Sequence, residues 1–209
     1  MNALKYFDSI ASNWNQMRSE YFGEEIKKIA IDTLDIDKKI CADLGCGTGF
    51  MSLEIAKKAN IVFSIDISKN MLKELKGTAE KKGLKNIYPI KGKMDDIPLF
   101  DNSVDAAFTN MALHHIVDPQ LAILEMYRIL KPNGVITITD VEEHNGYWAK
   151  EEMFDEWLGF SHRQIYDWLK NSGFVDIEVK STNLYCKGYS SKGEFTQTKI
   201  FIARARKER

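Results

Sequence analysis

Short β-branched runs and longer amphipathic segments take turns along this chain, and that alternation limits its fold more than any other feature. The β-like runs cover 39–44, 60–66, 86–91, 104–110, 134–141, 175–180 and 199–205. Between them the apolar spacing turns helical over 49–59, 68–83, 118–134 and 161–173. Ser68, Asp118 and Ser161 stand where N-caps belong, Pro119 at a first helical position, and Gly83 where a helix stops. Strands separated by helices are βαβ units, which close as a mostly parallel sheet with helices on both faces. Two more helical pieces, 3–18 and 24–34, precede the first strand. The expectation is one α/β domain in three layers around a seven-stranded sheet. A length of 209 residues agrees with a single core, at roughly 100–200 residues per domain.

Charge and composition narrow the function. Lys and Arg number 29 against 30 Asp and Glu, a net charge of −1, so the totals make no case for a nucleic-acid partner and a small-molecule partner is expected. The basic end, 203–209, reads as a solvated tail. Cys41, Cys46 and Cys186 are odd in number and lack C-x-x-C spacing, and no secretory segment precedes them, which points to a reducing cytoplasm. Every apolar run is far shorter than the roughly 20 residues of a membrane span. His144 and His162 stand apart from other ligand types, so no metal is expected.

Residues 41–50 read CADLGCGTGF. Gly45, Gly47 and Gly49 alternate after a strand, either because the backbone needs φ > 0 or because something approaches closer than a Cβ allows. Backbone N–H groups at a strand-to-helix turn favour an anionic or carboxylate-bearing ligand, while a tight turn without ligand is the plainer alternative. Asp66 closes the second strand, where a carboxylate can accept from both hydroxyls of a ribose; it could also cap the helix that begins near Ser68. The dinucleotide fingerprint G-x-G-x-x-G is not met, since Phe50 stands where the third glycine belongs. Asp43 would repel a pyrophosphate and welcome an ammonium. An adenosine-type cofactor with an amino-acid end satisfies all of these.

DLGCGTGF, followed by Asp66 in IDISKNML, resembles the first two motifs of the class I S-adenosylmethionine-dependent methyltransferases. The run from Ile97 to Asp140 is similar to that family's later motifs, in the small-molecule branch that includes quinone-biosynthesis methyltransferases. The likeness covers about residues 5–140, and LGFSHRQIYDWLKNSGFVDIEV more loosely. It implies a Rossmann-like class I methyltransferase fold, with 1–36 as an N-terminal helical lid, 37–141 as the cofactor-binding core and 142–209 as the acceptor-side insertion and last strands. It also implies S-adenosylmethionine as cofactor and S-adenosylhomocysteine as product. Asp43, Gly45, Cys46, Gly47 and Gly49 would hold the methionine part, Asp66 the ribose, Ile67 and Met71 the adenine, and Asn110 would face the sulfonium. Relatives carry Gly-Asp after the third strand where this chain has Gly92-Lys93, and a lysine cannot accept from the adenine amino group. Met94, with Asp95 as helper, is expected to replace it. Tyr6 and Trp14 are the expected lid aromatics.

Methyl transfer from a sulfonium is an in-line displacement that needs alignment and dryness more than catalytic groups. His115 and His114 are the candidates for a base, though adjacent residues seldom share a face and one is expected to pack away. Tyr147, Trp148 and Trp157, with Phe154 and Phe160, could wall the acceptor pocket or plug a core. Competing functions are a non-catalytic or aminopropyl-transferring relative on the same fold and, less consistent with the glycines, an NAD-dependent oxidoreductase.

Overall fold

The computed structural model describes residues 3–32 and 34–209; Met1, Asn2 and Thr33, which fall within the expected lid, lie outside the described residues. The strands are β1 (Ile40–Leu44), β2 (Ile61–Asp66), β3 (Ile87–Lys91), β4 (Val104–Asn110), β5 (Leu130–Val141), β6 (Phe174–Tyr189) and β7 (Phe195–Lys207). The helices are α1 (Ala3–Ile10), α2 (Trp14–Tyr21), α3 (Glu25–Ile31), α4 (Ser52–Ile55), α5 (Lys69–Lys81), α6 (Pro119–Ile129), α7 (Trp148–Glu152) and α8 (His162–Asn171). One sheet holds all seven strands in the order β3-β2-β1-β4-β5-β7-β6, with β1 to β5 parallel and β7 antiparallel to both of its neighbours. The mostly parallel seven-stranded sheet is the one the alternation implies. Strand order reverses between β1 and β4, and the carboxyl ends on either side of such a reversal leave a crevice for ligands.

Alternate residues of each strand serve opposite faces. Ala42, Leu44 and Ala107 pack with Ile123 and Met126 of α6 and Ile165 and Leu169 of α8. Their neighbours Cys41, Ala106 and Phe108 pack with Ala30 and Ile31 of α3 and Ile55 of α4. Both faces are therefore apolar and covered, as a parallel sheet requires. The expected caps form: Ser68 Oγ accepts from the Met71 N–H at 3.1 Å, Asp118 Oδ1 from Leu121 at 3.0 Å, and Ser161 Oγ from Gln164 at 3.2 Å.

Three segments depart from the expectation. Residues 3–18 form two helices because the chain turns at 11–13, around Ser12 and Asn13, whose side chains compete for backbone hydrogen bonds. Over 49–59 regular helix is confined to Ser52–Ile55, since Gly49 at φ 92° delays its start. β6 and β7 extend well beyond 175–180 and 199–205 into a long hairpin whose outer part alternates polar and half-buried residues. That arm leans over the carboxyl ends of the parallel strands, where Gly188 meets Tyr21 and Trp148.

Candidate functional site

A cavity of about 280 Å³ opens at the carboxyl ends of β1, β2 and β4. Asp43, Gly45, Cys46, Gly47, Asp66, Ile67, Met71, Met94, Asp95 and Asn110 all line it, as does Trp14 from α2. The structure thus gathers into one chamber all but two of the residues expected to hold the cofactor. Lys93 lines it as well, so Met94, Lys93 and Asp95 reach the same wall.

The three glycines meet three different demands. All have positive φ: 67° at Gly45, 51° at Gly47 and 92° at Gly49. A Cβ on Gly45 would lie 2.5 Å from the Ala112 side chain, and one on Gly47 would face Trp14 Nε1 at 3.6 Å across the chamber. Gly49 points away, onto Leu75 of α5, and does not line the cavity. Its place in the motif comes from helix packing against the turn, and it is removed from the set facing the ligand.

Asp66 accepts from the Gly47 N–H through Oδ2 and from the Ser68 N–H through Oδ1, both at 2.8 Å. A carboxylate oxygen has two lone pairs, so each oxygen keeps acceptor capacity for a ligand hydroxyl. Burial raises its pKa while the two N–H groups oppose the rise. Asp43 is enclosed, 2% exposed, and accepts from Ser52 Oγ at 2.5 Å, which in turn meets Ser64 Oγ at 2.7 Å. Burial lifts Asp43 to about 7, against the Ser52 hydrogen bonds. A cation placed beside it would restore the charged form. Asn110 is fixed by Thr139 Oγ1, 2.8 Å from its Oδ1.

The two N-terminal helices are fastened to this chamber by polar contacts. Asp8 accepts from Ser68 Oγ at 2.5 Å and from the Asn70 N–H at 3.3 Å, and Thr48 Oγ1 donates to Asn15 Oδ1 at 2.8 Å. Phe7 lines the cavity, edge-on to Trp14 at 5.7 Å and to His115 at 5.0 Å. Tyr6 does not: successive helix residues diverge by about 100°, and Tyr6 turns instead to Met153 Sδ at 3.4 Å and the Phe154 ring at 5.1 Å. Arg18, also on the wall, is 7% exposed, lies 4.0 Å over the Phe50 ring, and keeps a buried Nε with no partner.

A smaller cavity of about 80 Å³ adjoins the first, and Trp14, Phe22, Met111 and His115 belong to the walls of both. Trp148, His114, His144, Met153, Asp155 and Cys186 also line it. The histidines do not diverge as adjacency suggests. They sit on a single 3₁₀ turn, Leu113–His115, with rings 4.1 Å apart, because Asp140 draws one ring from below and Asp155 meets both. Burial works against a charged His114, but Asp140 and Asp155 outweigh it and lift it to about 9. Burial, with His114 beside it, pushes His115 well below its ordinary value. Burial lifts Asp155 to about 6 while His114 opposes.

Phe154 is set against Tyr6 and Phe160 is buried in the main core, and of the other three aromatics expected at the acceptor pocket two are also elsewhere. Tyr147 is 68% exposed on the helix rim. Trp157 packs edge-on to Trp168 at 5.8 Å and donates its Nε1–H to the Ile116 carbonyl at 3.0 Å, so it belongs to the core beneath α8. Trp148 alone of the three lines the cavity, its Nε1–H donating to Thr196 Oγ1 at 2.8 Å.

A family model described as a methyltransferase domain matches residues 36–196. The chain is 30% identical over 166 residues to 2-methyl-6-phytyl-1,4-hydroquinone methyltransferase of Arabidopsis thaliana, covering 77% of this chain and 48% of that protein. It therefore spans about half the length of the curated plant relatives it matches. It is 25% identical over 210 residues to demethylmenaquinone methyltransferase of Geobacillus stearothermophilus, covering 84% of this chain and 89% of that one. Among solved structures, phosphoethanolamine N-methyltransferase 2 of Haemonchus contortus, in complex with S-adenosylhomocysteine, has a TM-score of 0.78 at 16% identity, covering 97% of this chain and 58% of that one. The two share an overall fold.

Proposed function

From the premise that this chain belongs to the methyltransferase-domain family and has its Rossmann-like class I fold, we infer that it binds S-adenosylmethionine and transfers the methyl group to a small-molecule acceptor by in-line displacement. The observation that carries this reading is the joint placement of Asp43, the Gly45–Gly47 turn and Asp66 in one cavity. An enclosed carboxylate, open backbone and a ribose-level acid match a ligand with an ammonium at one end and a nucleoside at the other. In this reading Asp43 receives the ammonium, Asp66 the ribose hydroxyls, and Ile67, Met71 and Met94 cover the adenine. Arg18, whose Nε is buried without a partner, meets the carboxylate. The sulfonium methyl points past Asn110 and Met111 into the smaller cavity, where the acceptor lies.

The same reading divides the chain into a helical lid over 1–36, a cofactor core over 37–141 and an acceptor-side region over 142–209. Trp14 and Phe7 replace Trp14 and Tyr6 as the lid aromatics. The hydroquinone and demethylmenaquinone in the names of the plant and bacterial relatives make a quinone-type ring the first acceptor class to assay, and a cytoplasmic setting accords with three free cysteines. Among the described residues no helix is long and apolar enough to cross a membrane.

Calorimetry tests the reading directly. S-adenosylhomocysteine binds one per chain, NAD does not bind, and Asp66→Ala weakens binding by the loss of one or two hydrogen bonds to a charged acceptor, each about 1.5–3 kcal/mol. Tight NAD binding, or an Asp66→Ala variant with unchanged affinity, overturns the assignment. An aminopropyl-transferring relative would show itself by consuming the decarboxylated cofactor in preference to S-adenosylmethionine.

A further inference from the structure

We propose that His114, His115 and Asp155 form a binding site for a divalent metal ion of the zinc class, open to the smaller cavity. One nitrogen from each ring and one Asp155 oxygen lie within 4.8 Å of one another. His115 Nδ1 is 3.3 Å and His114 Nε2 is 3.8 Å from Asp155 Oδ1. Ligands held roughly 2.0–2.1 Å from a tetrahedral zinc are separated by roughly 3.4 Å, so side-chain rotations that also turn His115 Nδ1 away from the Phe154 carbonyl, 3.4 Å off, complete the set. The expectation of no metal rested on His144 and His162. The cluster arises instead because the fold returns a distant aspartate to the histidine turn.

Two features point to an ion, and the loop that carries Asp155 is held in place around them. Asp155 Oδ1 is buried on a side chain only 8% exposed and makes no hydrogen bond, its polar neighbours being the two rings, and an enclosed carboxylate oxygen is costly unless positive charge meets it. Asp140 Oδ1 lies 2.5 Å from His114 Nδ1, while its two oxygens also accept from the Val141 and Leu113 N–H groups at 2.7 and 2.9 Å. That arrangement keeps a proton on Nδ1 and leaves Nε2 as the nitrogen an ion would bind once its own proton is displaced, with Asp140 as the carboxylate–histidine support typical of metal ligands. The segment bearing Asp155 is held in register by the Glu156 and Trp157 N–H groups, both 3.0 Å from the His114 carbonyl. Met111 and Phe154, non-glycine residues at φ 51° and 60°, flank the cluster, and such backbone persists only where its surroundings over-determine it.

Two imidazoles and one carboxylate suit zinc better than magnesium or calcium, which prefer oxygen ligands. Three protein ligands leave a coordination position open, and Met153, Cys186 and His144 line the same cavity. An acceptor with an ionisable thiol or hydroxyl would enter there and lose its proton to solvent as its heteroatom coordinates. That atom then forms the new bond to the methyl carbon as the carbon–sulfur bond breaks and the electron pair stays on sulfur. This acceptor role rests on the methyl-transfer reading above; the metal site does not.

The test uses the full chain freed of metal by a chelator and titrated with Co²⁺, followed by visible d–d absorption, with Zn²⁺ affinity from competition with a chromogenic chelator. S-adenosylhomocysteine calorimetry on the same samples reports the fold and the neighbouring chamber. The expected result is one Co²⁺ per chain with the intense band of a four- or five-coordinate site. His115→Ala and Asp155→Asn should each abolish the band, while Asp155→Asn keeps its affinity for S-adenosylhomocysteine. Asp140→Asn should retain the band and bind Zn²⁺ 10- to 100-fold more weakly, as loss of an outer partner does. Absence of the band in the wild-type chain, or its survival in both His115→Ala and Asp155→Asn, overturns the site. The band without S-adenosylhomocysteine binding would uphold the site while overturning the cofactor reading.

Discussion

At Asp43 a carboxylate is enclosed and burial lifts its pKa to about 7, and on the reading proposed above its charged form meets the cofactor's ammonium. The folded state favours its protonated form. Its contribution to stability is therefore full below the ordinary carboxylate range and declines as pH rises through about 4 to 7. Ligand binding runs the other way, because the ammonium selects the ionised form. S-adenosylhomocysteine should bind about tenfold more weakly at pH 6 than at pH 8, with proton release on binding near pH 6, both read by calorimetry in buffers of different ionisation enthalpy. An affinity flat over that range would remove Asp43 from the ammonium site. Arg18→Met should weaken S-adenosylhomocysteine by roughly 2–4 kcal/mol, the loss of a charged hydrogen-bonding partner. It should leave 5′-methylthioadenosine, which lacks the amino-acid end, unaffected. Asp43 and Asp66 were legible in the sequence because they close strands whose ends the pattern fixes. Arg18, Phe7 and Asp155 were not, since each depends on the rotation of a short helix or the path of a loop, which no spacing records.

Elements carry the glycine lesson further. Gly49 combines a left-handed backbone with the Leu75 side chain where a Cβ would go, whereas Gly47 has an αL backbone and open space toward Trp14. Gly49→Ala should cost about 2–4 kcal/mol, from backbone strain and overpacking together, read as a lower denaturation midpoint at unchanged slope. Gly47→Ala should cost about 1 kcal/mol in stability yet harm cofactor affinity more. The reverse ranking would mean that the loop's packing and ligand-facing glycines had been exchanged. Element type was readable wherever a strong period met a cap, as at Ser68, Asp118 and Ser161. It faded in the outer hairpin, where β6 alternates around Tyr185, Cys186, Lys187 and Gly188. Cys186, Lys187 and Gly188 line the smaller cavity rather than the main core, so no continuous apolar run marks the strand.

Across the whole molecule, the sheet was legible because burial of both faces dictates continuous apolar strands, while the N-terminal segment was legible only as helical potential. Its attachment rests on Asp8 at the start of α5 and Asn15 on the glycine turn. Asp8→Ala should loosen α1, raising amide exchange over 3–21 and speeding S-adenosylhomocysteine release with little change in the denaturation midpoint of the core. A variant with unaltered exchange there would show that apolar packing alone holds the helices down. The wall common to the two chambers has a separate outcome. Trp14, Phe22, Met111 and His115 line both, so on the reading proposed above a single molecule with a nucleoside at one end and an acceptor-like group at the other needs only a short tether. Joining the two makes the second contact intramolecular, at millimolar effective concentration for a short linker. Such a bisubstrate compound should bind more tightly than either half, and the tether length giving the greatest gain would measure the path along which the methyl group travels.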